Sequence, residues 1–189
     1  MNFMEEKILD EGEVKQGHIL KVGSFLNHQL DVAFLADVGK AFYDHFGGRG
    51  INKILTVEAS GIAIACMTAP YFHVPVLFAK KSKSHNLDAE VYSSVVHSYT
   101  YDMDNTLTVS KRYLTAEDRI LIVDDFLAAG AAMKGLLALC EQAGASVEGI
   151  GVAIEKGFQG GGDKLREKGY DVCSLAIIDA MSAEGIRFR

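Results

Sequence analysis

The sequence predicts an α/β fold, a mostly parallel sheet flanked by helices on both faces. Three observations carry that prediction. Short continuous apolar runs, KILTV at 53–57, VPVLFA at 74–79, RILIV at 119–123 and the stretch 147–154, read as strands buried on both faces. Segments with helical spacing alternate with them, as a parallel sheet with crossover helices requires. Polar or small-residue loops follow the same runs at 58–61, 80–84, 124–132 and 155–156. In such sheets ligands bind beyond the carboxyl ends of the strands, so these four loops form the candidate site.

Composition narrows the reading further. A length of 189 residues suits one domain with its own core. With 49% hydrophobic and 23% charged residues, the chain is neither disordered, collagenous nor coiled coil as a whole. Lys and Arg total 19 against 25 acidic residues, a net charge of -6, so no general attraction to nucleic acid or anionic lipid is expected. Cys66, Cys140 and Cys173 are odd in number and widely spaced. They match neither a zinc pattern nor a disulfide framework and read as reduced cytosolic thiols. Glu5, Glu6, Asp10, Glu11 and Glu13 stand where a secretory signal would be apolar. The uncharged run 61–79 contains Pro70, His73 and Pro75, which disfavours a spanning helix. A soluble, cytoplasmic protein without membrane or nucleic-acid partners is expected.

The elements follow in order. Periodicity is weak to about residue 30. Asp31 is a plausible cap for a helix in which Phe34, Leu35, Val38, Ala41, Phe42 and Phe46 recur at helical spacing, stopped by Gly47-Gly48. A strand at 53–57 leads through Glu58-Ala59-Ser60-Gly61 into an Ala/Ile-rich helix expected to end at Pro70. A strand is expected at 74–79. The basic AKKSKS and polar HNLDAE predict a flexible loop. VYSSVVHSYTY and TLTVSKRYL predict an antiparallel hairpin, turning near 102–105 and projecting from the sheet as a hood or lid. A strand at 119–123 ends in Asp124-Asp125, and a helix is expected at 131–143 with Gly144 as its stop. A strand at 147–154 ends in Glu155-Lys156-Gly157. Gly160-Gly161-Gly162 reads as a turn, followed by a short charged helix and a last strand at 172–178.

The segment ILIVDDFLAAGAAM at 120–133 carries the chemistry. A buried strand delivers two adjacent carboxylates. The small loop after them lets backbone N–H groups approach an anion, and a helix N-terminus adds partial positive charge. Carboxylates cannot bind phosphate but suit hydroxyls or magnesium. A phosphate cradle beside two such acids describes a site for a ribose 5-phosphate.

This segment resembles the signature of the type I phosphoribosyltransferases. KVGSFLNHQLDV at 21–32, VEASGIAIA at 57–65, AKKSKS at 79–84 and GVAIEKGFQGGGDKL at 151–165 extend the resemblance over nearly the whole chain. FLNHQ and IEK-x-F point to the xanthine phosphoribosyltransferases of bacterial purine salvage. The resemblance implies the type I fold with a hood, to which about 1–35 and the C-terminal segment contribute, and a flexible hairpin or loop lid. It implies transfer from phosphoribosyl pyrophosphate (PRPP), with Mg²⁺, to xanthine, in a homodimer. By the same resemblance Asp124 and Asp125 hold the ribose hydroxyls, and Ala128, Ala129, Gly130, Ala131 and Ala132 cradle the 5-phosphate. Glu58, Ala59 and Ser60 form the pyrophosphate loop, and Lys81 is a cationic contact to pyrophosphate. Leu20, Asn27 and Lys156 meet the base. Many relatives carry Thr or Ser where Ala128 and Ala132 stand, so the phosphate would be held mainly by backbone N–H groups.

Plain structural readings stand beside these. Residues 58–61 also fit an ordinary strand-to-helix turn, Lys83 a solvated loop, Asn27 a cap and Phe158 a core residue. A P-loop, a G-x-G-x-x-G fingerprint after the first strand and a G-x-S-x-G elbow are all absent from the sequence. Two alternatives of function remain at this point: a salvage enzyme for another purine such as guanine or hypoxanthine, or a non-catalytic PRPP-binding regulator. The acidic balance and the short stretch before Asp31 disfavour a regulator with a DNA-binding domain.

Overall fold

A computed structural model describes residues 1–16, 19–82, 90–98, 103–182 and 184–189, with the side chains of 82, 97, 98, 103 and 104 outside that description. An N-terminal helix α1 (Phe3–Glu11) is followed by a small antiparallel hairpin, β1 (Glu13–Lys15) and β2 (Ile19–Lys21), and a π-helical turn at Gly23–Asn27. None of these was predicted, because each is too short for its periodicity to register. Asn2 caps α1 through a capping box with Glu5. Asp31 caps α2 (Val32–Phe46) by accepting the Phe34 N–H at 3.1 Å, as expected. Lys7 joins the two helices, with Nζ 2.6 Å from Glu11 and 2.9 Å from Asp31.

The main body is one eight-stranded sheet. Its strands are β3 (Lys53–Val57), β4 (Val76–Ser82), β5 (Val91–Ser98), β6 (Met103–Ser110), β7 (Arg119–Leu127), β8 (Ser146–Lys156), β9 (Val172–Ser182) and β10 (Gly185–Phe188). The spatial order is β10-β9-β8-β7-β3-β4-β6-β5. The central strands β9, β8, β7, β3 and β4 are parallel, and antiparallel strands close both edges. Helices α3 (Ser60–Phe72), α4 (Ala131–Ala143) and α5 (Gly161–Glu167) complete the element list.

Burial alternates across the sheet as the apolar runs require. Ile54, Leu121 and Val123 face a core built with Phe34, Leu35, Val38, Phe42 and Phe46 of α2, and with Ile64 and Ala65 of α3. Leu55, Val57, Ile120 and Ile122 face the opposite core, with Met133, Leu136 and Leu139 of α4. Fully burying such a side chain contributes about 1.5–3 kcal/mol, which fixes each helix to its face.

Several boundaries differ from expectation. Helix α3 passes Pro70 and ends at Phe72. The donor that proline removes belongs to the last turns, where Cys66 is exposed and its carbonyl can be solvated. Strand β4 begins after Pro75 and includes Lys80, Lys81 and Ser82, because antiparallel pairing with β6 prolongs it. Asn105 lies within β6, opposite Val96, and not in a turn. The hairpin is also not a separate projection, since β6 pairs with β4 and extends the sheet. Gly161 and Gly162 open α5 instead of forming a turn. The expected loop at 83–89, with Lys83, and the hairpin tip at 99–102 lie outside the described residues.

Candidate active site

Parallel strands place their carboxyl ends on one edge, so the ends of β3, β4, β7 and β8 come together there. Strand β3 leads through α3 to β4 on one side, whereas β7 and β8 lie on the other. The sequence of strands therefore changes direction between β3 and β7. That switch point is where open α/β sheets leave a crevice for ligand.

At this crevice β7 presents Asp124 and Asp125 before it ends at Leu127. Asp124 is 6% exposed and Asp125 is half-buried. The Asp125 N–H donates to Asp124 Oδ1 at 3.0 Å, and the Phe126 N–H donates to Asp125 Oδ1 at 2.9 Å. Burial, and then the neighbouring Asp125 charge, raise the Asp124 carboxyl well above the usual carboxylate range. The Lys81 charge opposes that shift. Asn27 reaches the pair from the π-helical turn, donating from Nδ2 to Asp125 Oδ2 at 3.3 Å.

Two helix N-termini open at the same edge. Helix α3 begins after Ala59 and α4 after Gly130, and neither has a side-chain cap. Helices α1 and α2 are capped by their own Asn2 and Asp31. The first-turn N–H groups of α3 and α4 thus lack intrahelical partners and can donate to anions. Gly130 adopts φ +85°, a left-handed conformation that suits glycine and turns the 128–132 loop into α4. Ala128, Ala129, Ala131 and Ala132 are half-buried, with no side-chain bulk over their amides.

The triple glycine has a role that reading it as a turn missed. A Cβ on Gly161 would collide with the Ala128 carbonyl oxygen and lie 3.0 Å from the Gly130 nitrogen. The start of α5 therefore supports the 128–130 loop at backbone contact. Three consecutive glycines were the available signal, since a glycine outside positive φ marks close backbone approach. Beside the loop a hollow of about 290 Å³ is lined in part by Ala129, Ala131, Lys134 and Lys164, two cations the sequence reading did not single out.

The remaining candidates separate. Glu58 and Ala59 are joined by a cis peptide bond. The Glu58 N–H donates to the Ala79 carbonyl, and its Oε1 accepts the Lys81 N–H, so its polar groups are engaged between β3 and β4. Ala59 and Ser60 stand at the opening of α3. Lys81 is exposed at the end of β4. Leu20 is buried in the α2-side core, so its side chain is packed and only its backbone remains to face a ligand. Lys156 ends β8 half-buried, 5.7 Å from the Phe126 ring centroid, and burial lowers its pKa. Phe158 is 46% exposed, which removes the core reading for it.

Glu155, suspected because of its place beside Lys156, is fully buried. It binds Arg166 through both oxygens, at 3.1 and 2.7 Å, and accepts from Ser174 Oγ. It anchors the end of β8 beneath Lys156 and does not open into the crevice. Among the described residues no group of three or more His, Cys, Asp or Glu could hold a metal ion.

Known proteins place the chain in a family. Residues 27–184 match the phosphoribosyl transferase domain family. The xanthine phosphoribosyltransferase of Bifidobacterium adolescentis is 56% identical over 192 residues, covering 100% of both chains. That of Ruminiclostridium cellulolyticum is 55% identical, covering 100% of this chain and 99% of its own. Among solved structures, the adenine phosphoribosyltransferase of Giardia lamblia superposes with a TM-score of 0.76 at 22% identity, covering 94% and 98% of the two chains. That of Trypanosoma brucei gives 0.79 at 16% identity, over 97% and 84%. At those identities the structures speak for the fold alone. The sequence relatives, matched end to end, place this chain in the phosphoribosyltransferase family, within its xanthine phosphoribosyltransferase group.

Proposed function

We propose that the protein transfers the 5-phosphoribosyl group of PRPP to xanthine, giving xanthosine 5′-monophosphate and pyrophosphate. The observation that carries this reading is the pair of uncapped helix N-termini flanking two carboxylates at the switch point. PRPP has two anionic ends separated by a ribose. The α4 opening with Ala128, Ala129, Gly130, Ala131 and Ala132 suits its 5-phosphate, and Ala59 and Ser60 suit the pyrophosphate. Glu58 shapes that second loop from within the sheet, and Lys81 supplies a cation beside it. Asp124 and Asp125 receive the ribose hydroxyls. Full-length identity of 52–57% to curated xanthine phosphoribosyltransferases supports xanthine as the base.

In the reaction the ribose C1–pyrophosphate bond breaks and a bond from C1 to a ring nitrogen of the base forms, with that nitrogen losing its proton. Positive charge grows on the ribose while pyrophosphate leaves with the electron pair. The carboxylates lie near the growing charge, and the helix amides stabilise the anion. Mg²⁺ would come bound to PRPP and would supply neutralising charge for the leaving pyrophosphate, beside the carboxylates Asp124 and Asp125. No covalent enzyme intermediate is required. Positioning two substrates and excluding water supply most of the acceleration. Lys156 donates to a xanthine carbonyl, Asn27 reads a second polar edge, and the backbone near Leu20 covers the base from the hood. Xanthine alone among these bases carries a 2-carbonyl, where guanine has an amino group and hypoxanthine a hydrogen, so a site that pairs that oxygen leaves groups unpaired with the wrong base.

A cytoplasmic homodimer belongs to the same reading. No helix among the described residues is long and apolar enough to cross a membrane. A hollow of about 650 Å³ along β4 and β6, with Phe78 38% exposed at it, offers surface for a second copy. Sedimentation equilibrium checks this, with twice the chain mass expected and a monomer at micromolar concentration overturning it. The activity is tested by pyrophosphate release from PRPP and Mg²⁺ with xanthine, guanine, hypoxanthine and adenine offered separately. Release with xanthine is expected. Release with another purine only would replace the substrate, and PRPP binding without release would make the protein a regulator.

A further inference from the structure

Thr56 lies on β3, two residues before the loop that opens into α3, and its side chain is fully buried. Among the described residues its Oγ1 is a buried side-chain polar atom with no hydrogen-bond partner. Unpaired buried hydroxyls are uncommon in native folds, and each asks for a reason. A valine would fill the same space on a buried strand without leaving an oxygen unpaired.

The surroundings of that oxygen supply a reason. A Cβ on Gly61, the second residue of α3, would collide with Thr56 Oγ1 and lie 2.9 Å from Asp124 Oδ1. Both oxygens therefore border one small notch, which exists because residue 61 has no side chain. Asp124 accepts the Asp125 N–H and lies against the Asp125 carboxyl. Among the described residues no Lys, Arg, Ser or Thr side chain is hydrogen-bonded to it. Its carboxyl is pushed upward by burial first and by Asp125 second, with the Lys81 charge a lesser opposing influence. A buried acid short of donors thus sits beside a buried hydroxyl short of an acceptor. A change of χ1 swings the threonine hydroxyl toward a neighbour, and its free hydrogen then aims at the acceptor.

We infer that Thr56 is a positioning residue of the ribose site, whose hydroxyl donates to Asp124 when the 5-phosphoribosyl substrate is bound and so holds that carboxylate toward the ribose. Ribose hydroxyls donating to one oxygen of Asp124 favour the charged form of the buried carboxylate. A second donor on its inner side then stabilises that charge in a dry notch where water cannot serve. Gly61 takes part by leaving room for the two groups to approach. This inference rests on the reading of the crevice as a PRPP site.

The experiment compares wild type, Thr56→Val and Thr56→Ser by calorimetric titration with Mg²⁺–PRPP, steady-state kinetics with xanthine, and thermal melting. Thr56→Val is expected to weaken PRPP binding and raise its KM roughly tenfold, the scale of one lost charge-assisted hydrogen bond. The KM for xanthine at saturating PRPP should not change. The melting temperature should hold or rise, because a methyl replaces an unpaired hydroxyl of the same shape. Thr56→Ser should recover PRPP affinity while melting lower, because it keeps the hydroxyl and loses a packed methyl. A residue that only fills the core would show the same melting pattern with PRPP binding unchanged in Thr56→Val. Wild-type PRPP binding in Thr56→Val, or no recovery in Thr56→Ser, overturns the inference while the enzyme reading stands. A wild type that does not bind PRPP overturns the functional reading and this inference with it.

Discussion

Lys156 is where a single side chain is asked to do most. Lys156 is half-buried, its pKa is lowered by that burial, and its ammonium lies 5.7 Å from the Phe126 ring centroid. A cation in that position has little structural use and retains free donors. Lys156→Ala is therefore expected to reduce kcat/KM for xanthine about 10–100-fold, the worth of a hydrogen bond to a charged donor, with an unchanged circular-dichroism spectrum. Wild-type turnover would end its assignment to the base. Asp124 behaves oppositely with respect to stability. Its carboxyl is raised in the folded state by burial and by Asp125, so the folded chain binds more protons than the unfolded chain above the ordinary carboxylate pKa. Stability then falls as pH rises through that window and stays reduced at neutral pH. Asp124→Asn should melt higher than wild type at pH 7, lose that difference toward pH 3, and use PRPP poorly. Melting curves across pH together with PRPP kinetics check both halves. An unchanged KM and kcat for PRPP would remove the central role of the acid pair.

At the scale of elements, the crevice depends on supports that do not touch it. The 128–130 loop rests on Gly161 at backbone contact. Gly161→Ala forces the loop or α5 to move, so PRPP KM should rise and stability fall by roughly 1–3 kcal/mol, the usual range for overpacking. Equal PRPP KM values in the two proteins would show that the loop does not need this support. The end of β8 depends on the Glu155–Arg166 pair. Glu155 is fully buried and Arg166 is 31% exposed, so Arg166→Ala strands a carboxylate in the interior. A loss of about 3–5 kcal/mol is expected from chemical denaturation, the range for breaking a buried pair by removing one partner. A loss below about 1 kcal/mol would mean that the pair does not hold the end of β8.

For the molecule as a whole, two cores on opposite faces of one sheet determine which groups meet solvent. Cys140 is buried and its thiol is pushed up to about 12, Cys173 is half-buried and pushed up to about 11, and Cys66 is exposed on α3. Thiolate is the reactive species, so a native sample at pH 8 should titrate one thiol rapidly with an aromatic disulfide reagent and three after denaturation. Rapid reaction of all three in the native state would contradict the packing of both cores. The sheet also explains how groups as distant in sequence as Asn27 and Asp125 come within 3.3 Å. Helix α1 and the π-helical turn are tied to α2 by Lys7, and α2 packs across β8 and β9. This carries the N-terminal segment over the same edge that β7 reaches.

The central strands, α2, α4 and their stops were legible in the sequence because each is long enough for burial to impose a period. Asp31, Gly47 and Gly144 act as local punctuation that needs no tertiary partner. The acid pair and the small loop after it were legible for the same reason, since a strand, a turn and a helix start all lie within 120–133. Strand ends were read less well. Val76–Ser82 and Arg119–Leu127 run longer than their apolar cores because pairing with a neighbouring strand, and not hydrophobicity, sustains the last residues. The α1 helix, the first hairpin and β10 were missed, being too short for burial to impose a period, and α1 also rests on a remote bond from Asn2 to the Leu175 carbonyl. By itself the sequence determined the kind of protein, a phosphoribosyltransferase, and that parallel strands would bring their ends together. Only the tertiary structure decided which of those groups are free to act. Glu155 was turned inward to Arg166, Glu58 was engaged between strands, and Gly161 was set beneath the 128–130 loop. Thr56 was left beside Asp124 without a partner. Pairing and burial are relations between distant residues, and no local pattern contains them.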